Sequence, residues 1–381
     1  MIKILLLIDY SSEFDRKLLR GLVQYSKENG PWLFYRLPSY YSAMHGEQGI
    51  LKWAKEWKAD AIIGQWNNDT IDLQKELNIP VVLQNYHHRS VTYSNLTGDY
   101  KGTGRMAAQF FAKRMFRNFA YFGVKGVVWS DERCEGYRQE VKRIGGEFFS
   151  FESDKQEDEI RMEVSQWLQE LPKPVALFCC DDAHALFISE TCKMTNIPIP
   201  EEIALLGVDN DELMCNISDP PISSIELEVE RGGYSIGRLI HQQIKKEHEG
   251  TFNIVINPIR IELRQSTEKH NIKDPYILEV VKYIESHYSS DLTIESLLAN
   301  IPLSRRNFEV KFKNALNTSI YQYILNCRCN HLADLLITTD RSLADLAMEV
   351  GFTDYNNIAR IFKKFKGDSP IEYRQKKANR T

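Results

Sequence analysis

The stretch Ser342-Leu-Ala-Asp-Leu-Ala-Met-Glu-Val-Gly351-Phe-Thr-Asp-Tyr-Asn-Asn-Ile-Ala-Arg-Ile-Phe-Lys-Lys-Phe-Lys-Gly-Asp-Ser-Pro370 reads as two short helices joined by a tight turn. Leu343, Leu346, Ala347 and Val350 recur at helical spacing, and Gly351 closes that helix because glycine adopts the left-handed conformation without a steric penalty. A second helix starts near Thr353 or Asp354, whose side-chain oxygens accept from the orphan amides of a first turn. Ile358, Ile361, Phe362 and Phe365 turn inward, which leaves Tyr355, Asn356, Asn357, Arg360, Lys363 and Lys364 outward. Amides and cations on the free face of a helix that follows a Gly turn are what a helix-turn-helix offers to a major groove. An ordinary solvated helix carries similar groups, so one copy does not settle the matter.

A second copy lies upstream. Thr293 to Ala299 is a short apolar-periodic helix, Asn300-Ile-Pro302-Leu a turn, and Ser304 caps a helix running through Arg305, Arg306, Phe308, Lys311, Phe312 and Lys313. Between the copies, Ile320 to Thr338 places Ile320, Tyr323, Ile324, Cys327, Leu332, Leu335 and Leu336 at helical intervals. Such a helix is nearly 30 Å long at about 1.5 Å per residue. That approaches the roughly 34 Å between successive major-groove openings on one side of B-DNA. Two units, about 293–316 and 342–366, are thus expected to enter adjacent grooves of a double-stranded operator. Arg305, Arg306, Asn356 and Arg360 are the candidates for base edges, and Lys311, Lys313, Lys363 and Lys364 for phosphates, with Ser304 and Tyr355 beside them.

The carriers Leu346-Ala347, Gly351-Phe352, Arg360, Phe362-Lys-Lys-Phe365, Gly367, Ser369-Pro370 and Tyr373-Arg374, with Ser304, Arg306 and Phe312 upstream, resemble the AraC-type DNA-binding domain over about residues 274–376. Ile358 stands where that family usually has Phe, and Val310 where the first unit often has a base. The first change keeps an apolar core position. The second leaves fewer cations on the first recognition helix.

With 381 residues, 43% apolar and 26% charged, the chain has the makeup of a globular protein with more than one core. Residues 270–381 hold 16 Lys+Arg against 13 Asp+Glu, a net of +3, and the remaining 32 against 39 leave residues 1–269 at −7. The charge is segregated in the direction that DNA binding requires, though the small excess points to placed contacts rather than a basic sheet of charge. Ile4 to Ile8 is apolar but stops at Asp9, too short for a membrane span or signal core. Seven cysteines without a CxxC pair suit a reducing compartment and free, buried thiols. The expected location is therefore the cytoplasm, with no membrane contact.

Residues 1–266 alternate strand and helix. Strands are expected at 2–8, 32–37, 61–64, 80–83, 119–123, 147–151, 175–180 and 203–208, and helices at 14–28, 49–57, 100–116, 133–144, 157–171, 183–194 and 229–246. This predicts an α/β module with parallel sheets covered by helices on both faces, and ligands beyond the carboxyl ends of the strands. A linker is expected at 267–274 and the all-α DNA-binding domain at 275–381. Neither GxGxxG after the first strand nor GxxxxGK[ST] occurs, so no dinucleotide or P-loop cofactor is expected.

Several strand ends instead deliver carboxylates, amides and aromatic rings: Asp9-Tyr10, Gln65-Trp66, Asn85-Tyr86, Trp129 to Arg133, Asp181-Asp182 and Asp209-Asn210. Such groups bind sugar hydroxyls directionally and cover the apolar face of a sugar ring. Arg133 alternatively pairs with Asp131 or Glu135, Asp181 and Asp182 alternatively cap the helix that follows, and Trp66 and Trp129 alternatively belong to a core. Adjacent carboxylates at a strand end point apart, and no nucleophile elbow occurs, so catalysis is not expected. His87 and His88 lack spaced partners for a metal.

Asp99 to Gly102, Ser130-Asp-Glu-Arg133-Cys-Glu-Gly136, Cys180-Asp-Asp182 and Ile199 to Asn210 resemble the periplasmic-binding-protein fold of lactose-repressor-type regulators. The resemblance implies that Arg133, Asp181 and Asp209 face the ligand, with Asp181 where that family often has Asn. Leu6 to Asp9, Leu19 to Gly21, Gly30 to Trp32, Trp167 to Pro174, Gly207 to Leu213 and Ser218 to Pro221 extend the likeness to regulators of xylose operons, over nearly the whole chain. The full expected set is Asp9, Tyr10, Glu13, Trp66, Trp129, Arg133, Asp181 and Asp209. The resemblance implies a pentose-responsive activator that works as a homodimer with RNA polymerase. The alternative reading makes the α/β module an oligomerisation platform or the receptor of a different small ligand.

Overall fold

A computed structural model describes the chain except residues 38, 67–70, 249, 269–271, 273, 300, 317, 340, 353–354 and 380–381; at 39–44, 74, 338, 355–356 and 376–379 it describes the backbone alone. The chain forms two compact units, Met1–Lys269 and His270–Thr381.

The first unit opens with β1 (Ile2–Leu7), α1 (Glu13–Asn29), β2 (Trp32–Arg36), α2 (Ser39–Trp57, broken at Gly46), β3 (Ala61–Gly64), α3 (Leu73–Leu77), β4 (Val81–Leu83) and β5 (Ser94–Gly98). It continues with α4 (Tyr100–Lys113), β6 (Asn118–Val124), α5 (Val128–Arg143), β7 (Glu147–Ser153), α6 (Glu157–Glu170), β8 (Val175–Cys179), α7 (Asp182–Met194), β9 (Ile203–Val208), α8 (Glu212–Ile217) and β10 (Ser223–Leu227). Then come α9 (Val229–Ile244), β11 (Asn253–Ile256) and β12 (Pro258–Glu262). The strands form two six-stranded sheets, β11-β5-β4-β3-β1-β2 and β12-β10-β9-β8-β6-β7. The first is parallel throughout, while β12 runs antiparallel to β10 at the edge of the second.

Strands β5, β10, β11 and β12 are additional to the expected set. Ser94-Asn-Leu-Thr-Gly98 is buried without the apolar run of a central strand because its polar side chains are hydrogen-bonded: the Ser94 hydroxyl accepts from the Phe252 amide at 3.1 Å, and the Asn95 side-chain amide donates to Asn253 of β11 at 3.0 Å. Strands β1, β3, β8 and β9 do carry such runs and are covered on both faces.

Three crossings join the lobes: β5 to α4, β10 to α9, and β11 to β12. They are tied together, since the Asp99 amide donates to the Ile256 carbonyl at 2.9 Å and the Glu228 amide to the Asn257 carbonyl at 3.1 Å. Helices α4 and α5 cross in contact. A methyl group at Gly104 would lie 2.1 Å from the Arg133 carbonyl oxygen, and one at Gly136 would lie 2.1 Å from that of Lys101. Two glycines on facing helices thus set the depth at which Arg133 is held.

Thr267, expected to open the linker, is tied to this unit beside Ser266. The Ser266 hydroxyl accepts from the Ser223 amide at 2.8 Å, and the Thr267 hydroxyl is 2.7 Å from that of Ser223.

The second unit contains α10 (Pro275–His287), α11 (Ile294–Leu298), α12 (Arg305–Leu316), α13 (Ile320–Thr338), α14 (Leu343–Glu349), α15 (Tyr355–Lys366) and α16 (Pro370–Asn379). Helix α13 is apolar around much of its circumference because it packs on both sides, against α10 and α12 and against α14, α15 and α16. Leu332, Leu346, Ala347, Val350, Ile358 and Phe362 share one buried cluster, so Ile358 does fill an apolar core position. Gly351 has φ 88°, and the Phe352 amide donates back to the Ala347 carbonyl at 2.9 Å, which closes α14. All seven cysteines are buried free thiols.

Candidate ligand cleft and nucleic-acid interface

Arg133 lies one turn into α5 and is only 3% exposed. Its guanidinium donates to the Cys180 carbonyl at the end of β8. The same group stands 5.4 Å from the Trp129 ring and 5.5 Å from the Tyr100 ring, and Tyr86 meets Trp129 edge-on at 6.4 Å. Asp209 faces it from the end of β9, 3.7 Å away, which is ion-pair range but beyond a hydrogen bond. Arg133 Nε and Asp209 Oδ1 are both buried and have no hydrogen-bond partner among the described residues. Buried polar atoms are rarely left so, because each costs roughly 1–3 kcal/mol.

The carboxylates around this pair feel one another. Burial pushes Asp209 up to about 6, with Arg133 opposing and Asp181 adding to the rise. Asp15, in the first turn of α1, is pushed by burial up to about 7 although it accepts from the Asp9 amide at 2.8 Å. Asp181 is held below the usual range: burial alone would raise it, but His184 outweighs burial. Tyr10 is pushed by burial up to about 12 and lies 4.9 Å from the Arg36 guanidinium.

The structure sorts the expected residues. Arg133, Trp129, Asp181 and Asp209 gather at the carboxyl ends of the second sheet, and Asp9 and Tyr10 follow the first strand of the other lobe. Asp181 also caps α7, accepting from the His184 amide at 2.8 Å, so the capping alternative and the cleft position coexist. Asp182 is structural, its carboxylate accepting from the Asp211 amide and the Ser224 hydroxyl at 2.7 and 2.6 Å.

Two expectations are corrected. Trp66 is 4% exposed and packs in the core with Leu5, Leu37 and Ile62, so the aromatic partner of Trp129 is Tyr86. Glu13 turns to Arg16 at 2.8 Å and Arg20 at 2.5 Å. It lines an outer pocket of 890 Å³ with Lys17, Asn210 and Asp211, which does not include Arg133.

Asp15 and Tyr100 were not among the expected site residues. Asp15 reads locally as an acid placed to suit a helix N-terminus, and only the fold brings it near Asp209.

The lobes also touch directly. Lys17 Nζ donates to the Asp209 carbonyl at 2.7 Å, Arg16 pairs with Asp211 at 3.3 Å, and Arg89 grips Glu132 through two bonds of 2.6 and 2.8 Å. The Val128 amide donates to the Tyr86 carbonyl at 2.7 Å.

In the helical unit, Ser304 caps α12 by accepting from the Asn307 amide at 3.4 Å. Arg306, Lys313, Arg360 and Lys363 are exposed on α12 and α15. Arg305 is occupied by Glu295 at 2.8 Å and Glu309 at 3.1 Å, and Lys364 leans on Gln322 of α13 at 3.1 Å. Lys311 is corrected: it pairs at 2.6 Å with Asp274, the cap of α10, and so holds two helices together rather than projecting outward. The side chains of Tyr355 and Asn356, and the expected caps Thr353 and Asp354, lie outside the described residues.

Residues 108–267 match the family of periplasmic binding protein-like domains, and residues 297–376 match that of helix-turn-helix domains. The chain thus joins a periplasmic-binding-protein-like α/β module to a helix-turn-helix domain of AraC type, the make-up of a DNA-binding transcription regulator. It is similar along almost its whole length to the xylose operon regulatory protein of Escherichia coli strain K12, at 24% identity over 98% of this chain and 96% of that one. A solved structure of the xylose-binding transcription activator XylR shares the fold over 98% of this chain and 97% of its own, at 22% identity and a TM-score of 0.60. The transcription regulator CcpA of Lactococcus lactis matches 70% of this chain and all of its own, with a TM-score of 0.60 and 16% identity. No helix among the described residues is long and apolar enough to cross a membrane.

Proposed function

We propose that the chain is a cytoplasmic, sugar-responsive activator of transcription whose effector is a small neutral aldose, a pentose such as xylose. The observation that carries this reading is the pair of buried atoms Arg133 Nε and Asp209 Oδ1, neither of which has a hydrogen-bond partner among the described residues. One donor and one acceptor, flanked by the Trp129, Tyr86 and Tyr100 rings, suit a hydroxyl-bearing ring with an apolar face. The full-length similarity to xylose operon regulators supports the choice of pentose.

Binding across the cleft favours the arrangement in which the lobes touch, because the effector adds contacts in that arrangement alone. In a homodimer this shift alters the placement of paired DNA-binding domains, and RNA polymerase reads the change. Asp9, Tyr10, Trp129, Arg133, Asp181 and Asp209 are the proposed effector residues. Ser304, Arg306, Lys313, Asn356, Arg360 and Lys363 are the proposed DNA residues.

Calorimetric titration of the full chain with D-xylose, L-arabinose, D-ribose and D-glucose tests the reading. Binding of one pentose, abolished by Arg133→Ala in protein that remains folded, is the expected result; no heat with any of the four would overturn it.

A further inference from the structure

We propose that Cys180, Asp181 and His184 form a binding site for a thiophilic divalent cation such as Zn²⁺ at the margin of the cleft. Their ligand atoms, a thiol sulfur, a carboxylate oxygen and a ring nitrogen, all lie within 4.8 Å of one another. A tetrahedral zinc site with bonds of about 2.0–2.3 Å sets its ligand atoms roughly 3.3–3.8 Å apart, so a small contraction completes the triad. A mixed sulfur, nitrogen and oxygen set selects zinc or cobalt over calcium or magnesium.

The junction between β8 and α7 makes this cluster. Cys180 follows the last residue of β8, Asp181 caps α7 and His184 is the third residue of that helix, so the turn folds all three side chains together. Cys180 is fully buried, whereas the Asp181 and His184 side chains are 20% and 22% exposed, which leaves an approach from solvent. The Phe122 ring stands 6.0 Å from the imidazole. The fourth position of a tetrahedral ion is left to water. The facing cation is Arg133, which opposes a metal; a thiolate and the Asp181 carboxylate offset it.

In the structure His184 Nδ1 and the His184 amide both meet one Asp181 oxygen, at 2.7 and 2.8 Å. On binding, the thiol and the imidazole Nδ1 release their protons to solvent, the cation takes the place of the Nδ1 hydrogen, and the amide bond to Asp181 remains. The consequence for regulation rests on the effector reading above: an ion on Asp181 withdraws that carboxylate from the sugar, so cation and pentose antagonise each other.

The test uses metal-stripped full-length protein titrated with CoCl₂. A thiolate-to-cobalt charge-transfer band in the near ultraviolet, displaced by ZnCl₂, is expected, and Cys180→Ser and His184→Ala should each remove it. Cys179→Ser should keep it, because Cys179 packs in the other hydrophobic cluster. Circular dichroism establishes that each variant is folded. No band, or a band that survives Cys180→Ser, would overturn the site. The D-xylose Kd should weaken about tenfold or more at saturating zinc, and an unchanged Kd would overturn the antagonism. Absence of sugar binding in zinc-free protein would count against the effector reading and leave the cobalt result standing as support for the site.

Discussion

Arg133→Lys separates the work of a cation from that of a guanidinium. Arg133 donates to the Cys180 carbonyl, faces Asp209 at 3.7 Å, lies near two aromatic rings and retains an unpartnered Nε. A lysine keeps the charge that offsets Asp209, but one ammonium cannot serve the carbonyl, the carboxylate and an effector hydroxyl at once. The stability cost should therefore stay below the about 3–5 kcal/mol expected when a buried charge loses its partner entirely, as in Arg133→Ala. The effector should lose one charge-assisted hydrogen bond, about 1.5–3 kcal/mol, or roughly 10- to 150-fold in Kd. Calorimetry with D-xylose measures the second quantity and urea denaturation the first. A lysine variant that binds the sugar as tightly as the parent would refute the assignment of Nε to the effector.

Asp15→Asn should change how stability depends on pH. Burial raises the Asp15 carboxyl from 3.8 to about 7, so its destabilising ionisation sets in as pH rises from 4 to 7, and stability is greatest below that window. The shift is equivalent to about 4 kcal/mol at most, and the Asn variant, neutral throughout, should gain part of it at pH 8 and none at pH 4. Thermal unfolding across pH 4–8 reads this out; parallel curves for parent and variant would contradict it. Arg89→Ala removes the two bonds to Glu132 across the lobes and should weaken effector binding about two- to fivefold, in keeping with a half-exposed ion pair worth under about 1 kcal/mol. Lys363→Ala should lower the salt dependence of DNA binding by about one unit of slope, whereas Lys311→Ala should lower the melting temperature of the helical unit and leave that slope unchanged. Arg360→Ala should relax sequence preference in selection from a random duplex library.

Both helix-turn-helix units were legible because each obeys local rules: the second has capping Ser342, Leu and Val at helical spacing and Gly351 turning at φ 88° without strain, and the first has Thr293 and Ser304 capping its two helices. The central strands were legible for a similar reason, as a strand covered on both faces has to be a run of apolar residues. The polar inner strand β5 carries no such mark. Its pairing is supplied by β4 and β11, and β11 is contributed from more than 150 residues away in sequence.

Sequence by itself determined the kinds of element, the order of the two units and the residues at the strand ends where ligand groups collect. Tertiary structure decided which of those residues meet. It buried Trp66 in a core, turned Glu13 to two arginines, spent Lys311 on the cap of α10 and set Asp15 near Asp209. Periodicity and capping act within a few residues of chain and are written locally. Whether a charged or aromatic side chain is free to bind depends on neighbours brought by distant segments, and on the burial that only the assembled lobes impose.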